Sequence, residues 1–214
     1  MNAIANALYM TTAAKLANRK PNSPSSQYYL NEAKRAYNWI KNSGLIGTNN
    51  LLNDGLDLTT CKSNGNVVFT YNQGVILSGL VEMTWATGDN SYNTLANTIA
   101  LSAISILAPK GILVENLCEP NACSGDEQQF KGIFARNIQF MVNRATVMPA
   151  STKTTLVNFL KVNADSIWTV DQKNGAVGLA WGGPYQTATI QTQSSGLDAL
   201  VGAAAVTVGQ GIMS

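Results

Sequence analysis

The chain has 214 residues, enough for one domain with a sizeable core and too few for two comfortable ones. Only 12% are charged, 14 Lys+Arg against 12 Asp+Glu, so no basic field exists for nucleic acid, and no stretch has the roughly 20 apolar residues of a spanning helix. Histidine is absent, which removes the usual proton shuttle, the Ser-His nucleophile pair and most zinc sites together, and leaves carboxylates, Cys, Lys and Tyr for any chemistry.

Helical periodicity dominates, with strand-like alternation only in short patches such as Val67 to Tyr71. The first helix is read from about Asn2 to Asn18, uncapped, with Ile4, Leu8, Ala14 and Leu16 inward. The same segment lacks the basic start of an export leader, and Asn6, Thr11, Thr12 and Lys15 break its apolar runs. The second helix follows the Pro21 to Pro24 turn, is capped by Ser25 or Ser26, buries Tyr29, Leu30, Ala33, Tyr37 and Ile40, and stops at Gly44. A long connection with Asn53-Asp54-Gly55 and Asn64-Gly65 turns leads to a third helix, Asn72 to about Ala86. Gly88 ends it, and Asp89 caps a fourth, Asn90 to Leu107, which Pro109 ends.

Cys118 and Cys123 bracket a turn-rich loop, Cys-Glu-Pro-Asn-Ala-Cys, that fits a small disulfide in an oxidising compartment. Cys61 is then left over, either as an idle thiol or for a partner outside this chain. Ser124 and Glu127 have capping-box spacing ahead of a fifth helix, which carries Phe130, Ile133, Phe134, Asn137, Ile138 and Met141 on one stripe. A sixth helix is read over about Ser151 to Trp168. A Gly-rich stretch with Trp181-Gly-Gly-Pro184 leads to the seventh, Ser194 to about Val208.

The first, third and seventh helices read as buried nearly all round, and the second and sixth have charged outer faces. Polar clusters open the odd helices: Tyr71-Asn72-Gln73, Phe130-Lys131 and Gln191-Thr192-Gln193. This pattern fits an all-α, two-layer toroid of helical hairpins whose odd helices aim free backbone N–H groups at a common cleft. An ordinary helical solenoid fits the periodicity as well.

Without histidine, glycoside hydrolysis remains open, because it needs two carboxyls. No pair stands out. Asp54 and Asp57 read as turn formers, Asp126 and Glu127 as first-turn residues, Glu115 and Glu119 as solvated, and Glu82, among Val81, Met83 and Trp85, as a partly buried base or, more simply, a snorkelling outer-face residue. Sugar binding asks for flat aromatics over C–H faces and amides around hydroxyls. Tyr71, Asn72 and Gln73 supply both at a helix mouth, although Tyr71 alone reads equally as core. Trp181 in its Gly-Gly-Pro loop is a stacking candidate, whereas Trp39, Trp85 and Trp168 fall at core spacing and Arg136 reads as an ion-pair partner.

Asn2-Ala-Ile-Ala-Asn6, Asn53-Asp-Gly-Leu56, Tyr71-Asn-Gln-Gly-Val-Ile-Leu77, Gly79-Leu-Val-Glu82, Ala86-Thr-Gly-Asp89, Phe130-Lys-Gly-Ile-Phe134 with Arg136-Asn137, and Gln193-Ser-Ser-Gly-Leu197 resemble the family 76 glycoside hydrolases, the endo-α-1,6-mannanases. The resemblance implies part of an (α/α)6 barrel, with residues 1–214 as one incomplete domain of about seven helices. It implies a mannan or related α-mannoside as partner and an extracellular or cell-wall location. No cofactor is expected; calcium stays open, because sugar sites often use it, but no run of oxygen ligands here resembles an EF-hand loop. The family's catalytic signature is an adjacent Asp-Asp pair, which this sequence lacks, so no catalytic residue carries over and the chain is expected to be inactive alone. What carries over is a cleft wall of Tyr71, Asn72 and Gln73 with Phe130, Lys131 and Gln193. A non-catalytic helical module that binds glycan or protein is the alternative.

Overall fold

The computed structural model describes residues 2–65 and 67–211; Met1 and the last three residues of the domain read above lie outside them. Seven α-helices follow in order: α1 (Ala3–Arg19), α2 (Pro24–Asn42), α3 (Thr70–Thr87), α4 (Ser91–Leu107), α5 (Phe130–Arg144), α6 (Ala150–Val170) and α7 (Ile190–Gly211). A two-residue antiparallel hairpin, β1 (Gln172–Lys173) with β2 (Ala176–Val177), separates the last two.

Local cap chemistry sets some boundaries as expected. Gly88 ends α3 in the left-handed region, with φ 74°. Ser124 and Glu127 form their capping box, which opens a 3-10 turn, Gly125–Gln129, that runs straight into α5. Other boundaries differ. The first helix is capped after all, by Asn2, whose side chain accepts from the Ala5 amide at 3.2 Å. Ser23 rather than Ser25 or Ser26 caps α2, because Pro24 fits the first helical position, where no amide is needed. Helix α3 starts at Thr70, and the Val67 to Tyr71 patch forms no strand. Its cap comes from 45 residues away: the Glu115 carboxylate accepts from the Thr70 amide (3.1 Å) and hydroxyl (2.6 Å). Thr189 and Thr192 exchange amide-to-hydroxyl bonds of 2.8 and 3.1 Å, which moves the start of α7 a turn ahead of Ser194.

Helices α1, α3, α5 and α7 pack side by side as an inner layer, with α2, α4 and α6 outside them. Glycine controls this packing. A Cβ on Gly74 of α3 would lie 2.7 Å from the Phe134 Cα of α5, and one on Gly132 of α5 would lie 2.5 Å from the Ser195 Cα of α7. Gly79 meets Met10 and Thr11 of α1 in the same way. Each contact joins positions at similar depth in two helices, so the four inner helices run parallel and start at one end of the molecule, as a toroid requires.

Only α3 is buried nearly all round. On α1 the inward face is made of Ala3, Ala7, Met10 and Ala14, while Leu8, Tyr9 and Leu16 are exposed. Small residues let α1 approach α3 closely, and the bulky ones are left outside. On α7, Ile190, Leu197 and Val201 are exposed. No helix among the described residues is long and apolar enough to cross a membrane.

A buried charge cluster ties the connecting loops to the inner layer. Cys118 and Cys123 form the expected disulfide, with Cα atoms 4.6 Å apart, and Leu179 packs on it. Cys61 is an exposed free thiol. Glu115 and Glu119, expected in solvent, are both enclosed: Glu119 pairs with Lys131 of α5 at 2.5 Å and accepts from the Glu115 amide at 3.0 Å. Lys131 also donates to the Leu179 carbonyl at 2.7 Å. Asp171 is wholly buried, and neither of its carboxylate oxygens has a partner among the described residues. Burial pushes Glu115 and Asp171 each up to about 7, against the pull of Lys131, whose own ammonium burial draws down.

Two outcomes follow from these contacts. Gly132→Ala and Gly74→Ala force a methyl into neighbouring backbone, an overpacking that costs about 1–3 kcal/mol, whereas Gly202→Ala finds its nearest atom at an ordinary 3.5 Å. In urea denaturation the first two therefore lower the midpoint, and Gly202→Ala holds or raises it through helix propensity of up to about 1 kcal/mol. For pH, an unfolded carboxylate titrates near about 4, so the folded chain retains protons on Glu115 and Asp171 that the unfolded chain releases. Their contribution is full below the unfolded pKa and is lost as pH rises towards 7. Glu32, Asp57 and Asp89 are shifted downward and act in the opposite sense, but they are exposed and screened. Thermal midpoints fall between pH 4.5 and 7.5, and Asp171→Asn reduces that slope.

Candidate functional site

The starts of the inner helices are joined pairwise into a mouth. Asp54, in the loop after α2, accepts through its backbone carbonyl from the first amide of α1, that of Ala3, at 2.6 Å. Its side-chain Oδ1 accepts from the Tyr71 hydroxyl (3.3 Å) and the Asn72 Nδ2 (3.0 Å) on the first turn of α3. Tyr71 stacks on Phe130 of α5, ring centroids 4.0 Å apart and planes 23° from parallel, and Phe69 meets Phe130 edge-on at 5.4 Å. Between α5 and α7, the Thr189 hydroxyl donates to Gln128 Oε1 at 2.7 Å. Thus Tyr71, Asn72 and Phe130, named from sequence, come together, and Asp54, read as a turn former, joins them.

Their exposure assigns different work to each. Tyr71, Phe130 and Asp54 are half-buried and keep surface at the mouth. Burial first, then the Asp54 charge, push the Tyr71 hydroxyl up to about 12, so it stays a neutral donor across the usual pH range. Asn72 is fully buried, and its Oδ1 has no partner among the described residues. Beside these groups lies a concavity of about 510 Å³ lined by Asn2, Asn6, Asp54 and Asn64. Asp54 belongs both to this hollow and to the mouth, where its carboxylate and the Tyr71 hydroxyl stand beside a partly exposed aromatic pair, groups able to hold a hydroxylated ring.

The remaining candidates sit elsewhere. Gln73 is fully buried with its amide occupied: Oε1 accepts from the Leu52 amide, and Nε2 donates to the Leu52 and Phe69 carbonyls (2.8 and 3.1 Å). Lys131 belongs to the buried charge cluster. Trp181, read as a stacking platform, is wholly enclosed with Lys131 over its ring at 4.8 Å, so no sugar reaches it. Gln193 accepts from the Val177 amide at 2.8 Å, which pins the β1–β2 hairpin, and lines a separate groove along α7 with Ile190, Leu197 and Val201. Arg136 pairs with Asp198 at 3.3 Å as expected. The surface tryptophans are instead Trp85 and Trp168, both assigned to the core by spacing. Glu82 is no outer-face residue but lies buried against Arg144 at 2.8 Å.

The chain is 29% identical over 170 residues to the mannan endo-1,6-alpha-mannosidase DFG5 of Saccharomyces cerevisiae, a match covering 77% of this chain and 35% of that protein. It is 30% identical over 167 residues to the mannan endo-1,6-alpha-mannosidase DCW1 of Candida glabrata, covering 76% and 35%. The chain thus spans about a third of the length of these curated relatives. Among solved structures, the GH76A alpha-1,6-mannanase of Salegentibacter sp. HEL1_6 superposes with a TM-score of 0.80 at 24% identity, over 95% of this chain and 59% of that one. An inactive variant of that enzyme was solved with alpha-1,6-mannotriose. The Lin0763 protein of Listeria innocua gives 0.83 at 25% identity, over 98% and 57%. The fold is that of an (α/α)6 barrel, of which seven helices are seen here. The sequence profile of Glycosyl hydrolase family 76 matches residues 1–210, and the chain belongs to that family.

Proposed function

We propose that the mouth is a wall of a cleft that binds α-1,6-linked mannan, and that this chain supplies recognition without turnover. The observation that carries the reading is the Tyr71–Phe130 stack with Asp54 at the converged starts of α1, α3 and α5. The exposed part of the aromatic pair offers an apolar surface to the C–H face of a mannose ring. Asp54 and the Tyr71 hydroxyl bracket its hydroxyls, and helix N-termini favour the anionic side chain among them. Asn72, Gln73 and Lys131 hold these groups in place from behind, and Gln193 fixes the hairpin beside α7.

A glycosidase of this kind uses two carboxyls, one as acid and one as nucleophile or base, held roughly 5–9.5 Å apart. At the mouth Asp54 is tied to two neutral donors, and the other enclosed acids are engaged elsewhere, Glu115, Glu119 and Asp171 in the charge cluster and Glu82 against Arg144 at the far end of α3. Hydrolysis or transglycosylation of α-1,6-mannosidic bonds is therefore assigned to the complete family barrel. An extracellular, cell-wall setting is part of this proposal, and the Cys118–Cys123 disulfide supports it.

Titration calorimetry with α-1,6-mannotriose tests the reading. Tyr71→Ala weakens binding about tenfold, equivalent to about 1.4 kcal/mol, and Asp54→Asn weakens it less because one oxygen acceptor remains. No reducing sugar is released from α-1,6-mannan by the chain alone. Turnover that disappears on Asp54→Ala would overturn the non-catalytic assignment, and affinity unchanged by Tyr71→Ala would overturn the site.

A further inference from the structure

The opposite end of the inner layer, where α1, α3 and α5 finish and α2 begins, holds a second concavity of about 320 Å³. Trp85 in the last turn of α3, 48% exposed, is the aromatic ring in its lining. This ring is fixed on both counts that matter for stacking. Its Nε1 donates to the Arg144 carbonyl at 2.8 Å, and the Arg144 guanidinium lies 4.5 Å from its centroid. Arg144 is in turn held by buried Glu82, which also accepts from Asn18 Nδ2 of α1. A tryptophan held this way presents its surface with little rotamer freedom left to lose on binding.

The walls restrict the ligand. Apolar surface comes from Trp85, Leu30 and Pro21, and the polar lining is Asn18, Asn22, Ser23, Ser26 and Gln27, three amides and two hydroxyls. Arg144 and Glu82 pair with each other beside Trp85, and none of the residues that line the pocket is charged. An exposed aromatic ring among uncharged hydrogen-bonding side chains matches a pyranose ring, which has a C–H face and a hydroxyl edge. The volume lies at the low end of small-ligand sites, which span about 300–1,000 Å³. We infer that this pocket is a second saccharide site for a neutral hexopyranose unit, separate from the mouth.

Trp85 lies 14 residues beyond Tyr71 on the same helix, and at 1.5 Å per residue the two sites are about 21 Å apart. A polysaccharide that reaches both, or two strands of one wall, is then held at two points. The gain is one of effective concentration and needs no contact between the sites.

The test separates this site from the mouth. Saturation-transfer NMR on α-1,6-mannotriose is recorded with the full chain, with Tyr71→Ala, with Trp85→Ala and with both substitutions. Transfer persists in Tyr71→Ala and falls at least tenfold in the double variant. Gln27→Ala, an exposed rim change that leaves the Trp85 anchor intact, lowers it severalfold in the Tyr71→Ala background. If Tyr71→Ala alone abolishes transfer, or if neither Trp85→Ala nor Gln27→Ala reduces what remains, the second site does not exist. Loss of binding in Trp85→Ala with retention in Tyr71→Ala would instead remove the mouth reading and leave this one standing.

Discussion

Backbone-to-backbone approach of the inner helices is the constraint on which the other features rest. Gly74 and Gly132 place α3 against α5 and α5 against α7 at distances that exclude even a methyl group, and Gly79 does the same between α3 and α1. Interiors are packed too tightly to absorb such an intrusion without moving a helix. With the four axes fixed in register, their first turns must arrive together, and this brings Tyr71 of α3 onto Phe130 of α5. The aromatic stack is a consequence of the glycine contacts below it.

The loops then lock what the glycines align. Glu115 caps α3 from the segment after α4, Glu119 pairs with Lys131 of α5, and Asp54 links the start of α1 to that of α3. One disulfide closes the loop that carries Glu119. Burial of three carboxylates around one ammonium leaves the cluster short of positive charge. Protons supply the balance, which raises Glu115 and Asp171 and makes the fold suited to acidic surroundings.

How much of this was legible depended on how far apart in the chain the interacting groups lie. Gly88, the Ser124–Glu127 box and the Cys118–Cys123 loop act within a few residues, and all were readable. The start of α3 was not, because its cap is Glu115, and Asp54 passed for a turn former because Tyr71 is 17 residues away. The inward face of α1 was misread for another reason: hydrophobicity ranked Leu8 and Leu16 above alanine, but close helix approach selects for small size. The tryptophans were exchanged in the same manner. A Gly-Gly-Pro loop suggests an accessible Trp181, yet the ring is enclosed with Lys131 over it, whereas the helical spacing of Trp85 gives no sign that α3 ends at the surface there.

The two ends of the inner layer differ in electrostatics because the helices are parallel. At the mouth the N-terminal ends carry partial positive charge, and an acidic side chain, Asp54, sits among them. At the base the C-terminal ends carry partial negative charge, and Arg19 and Arg144 occupy the last turns of α1 and α5. Arg144 is further compensated by Glu82, and its guanidinium lies over the exposed Trp85 ring. The mouth thus keeps a partly exposed carboxylate, Asp54, whereas the carboxylate at the base, Glu82, is buried and paired. A carboxylate can orient a sugar for chemistry, whereas a neutral aromatic pocket can only hold it.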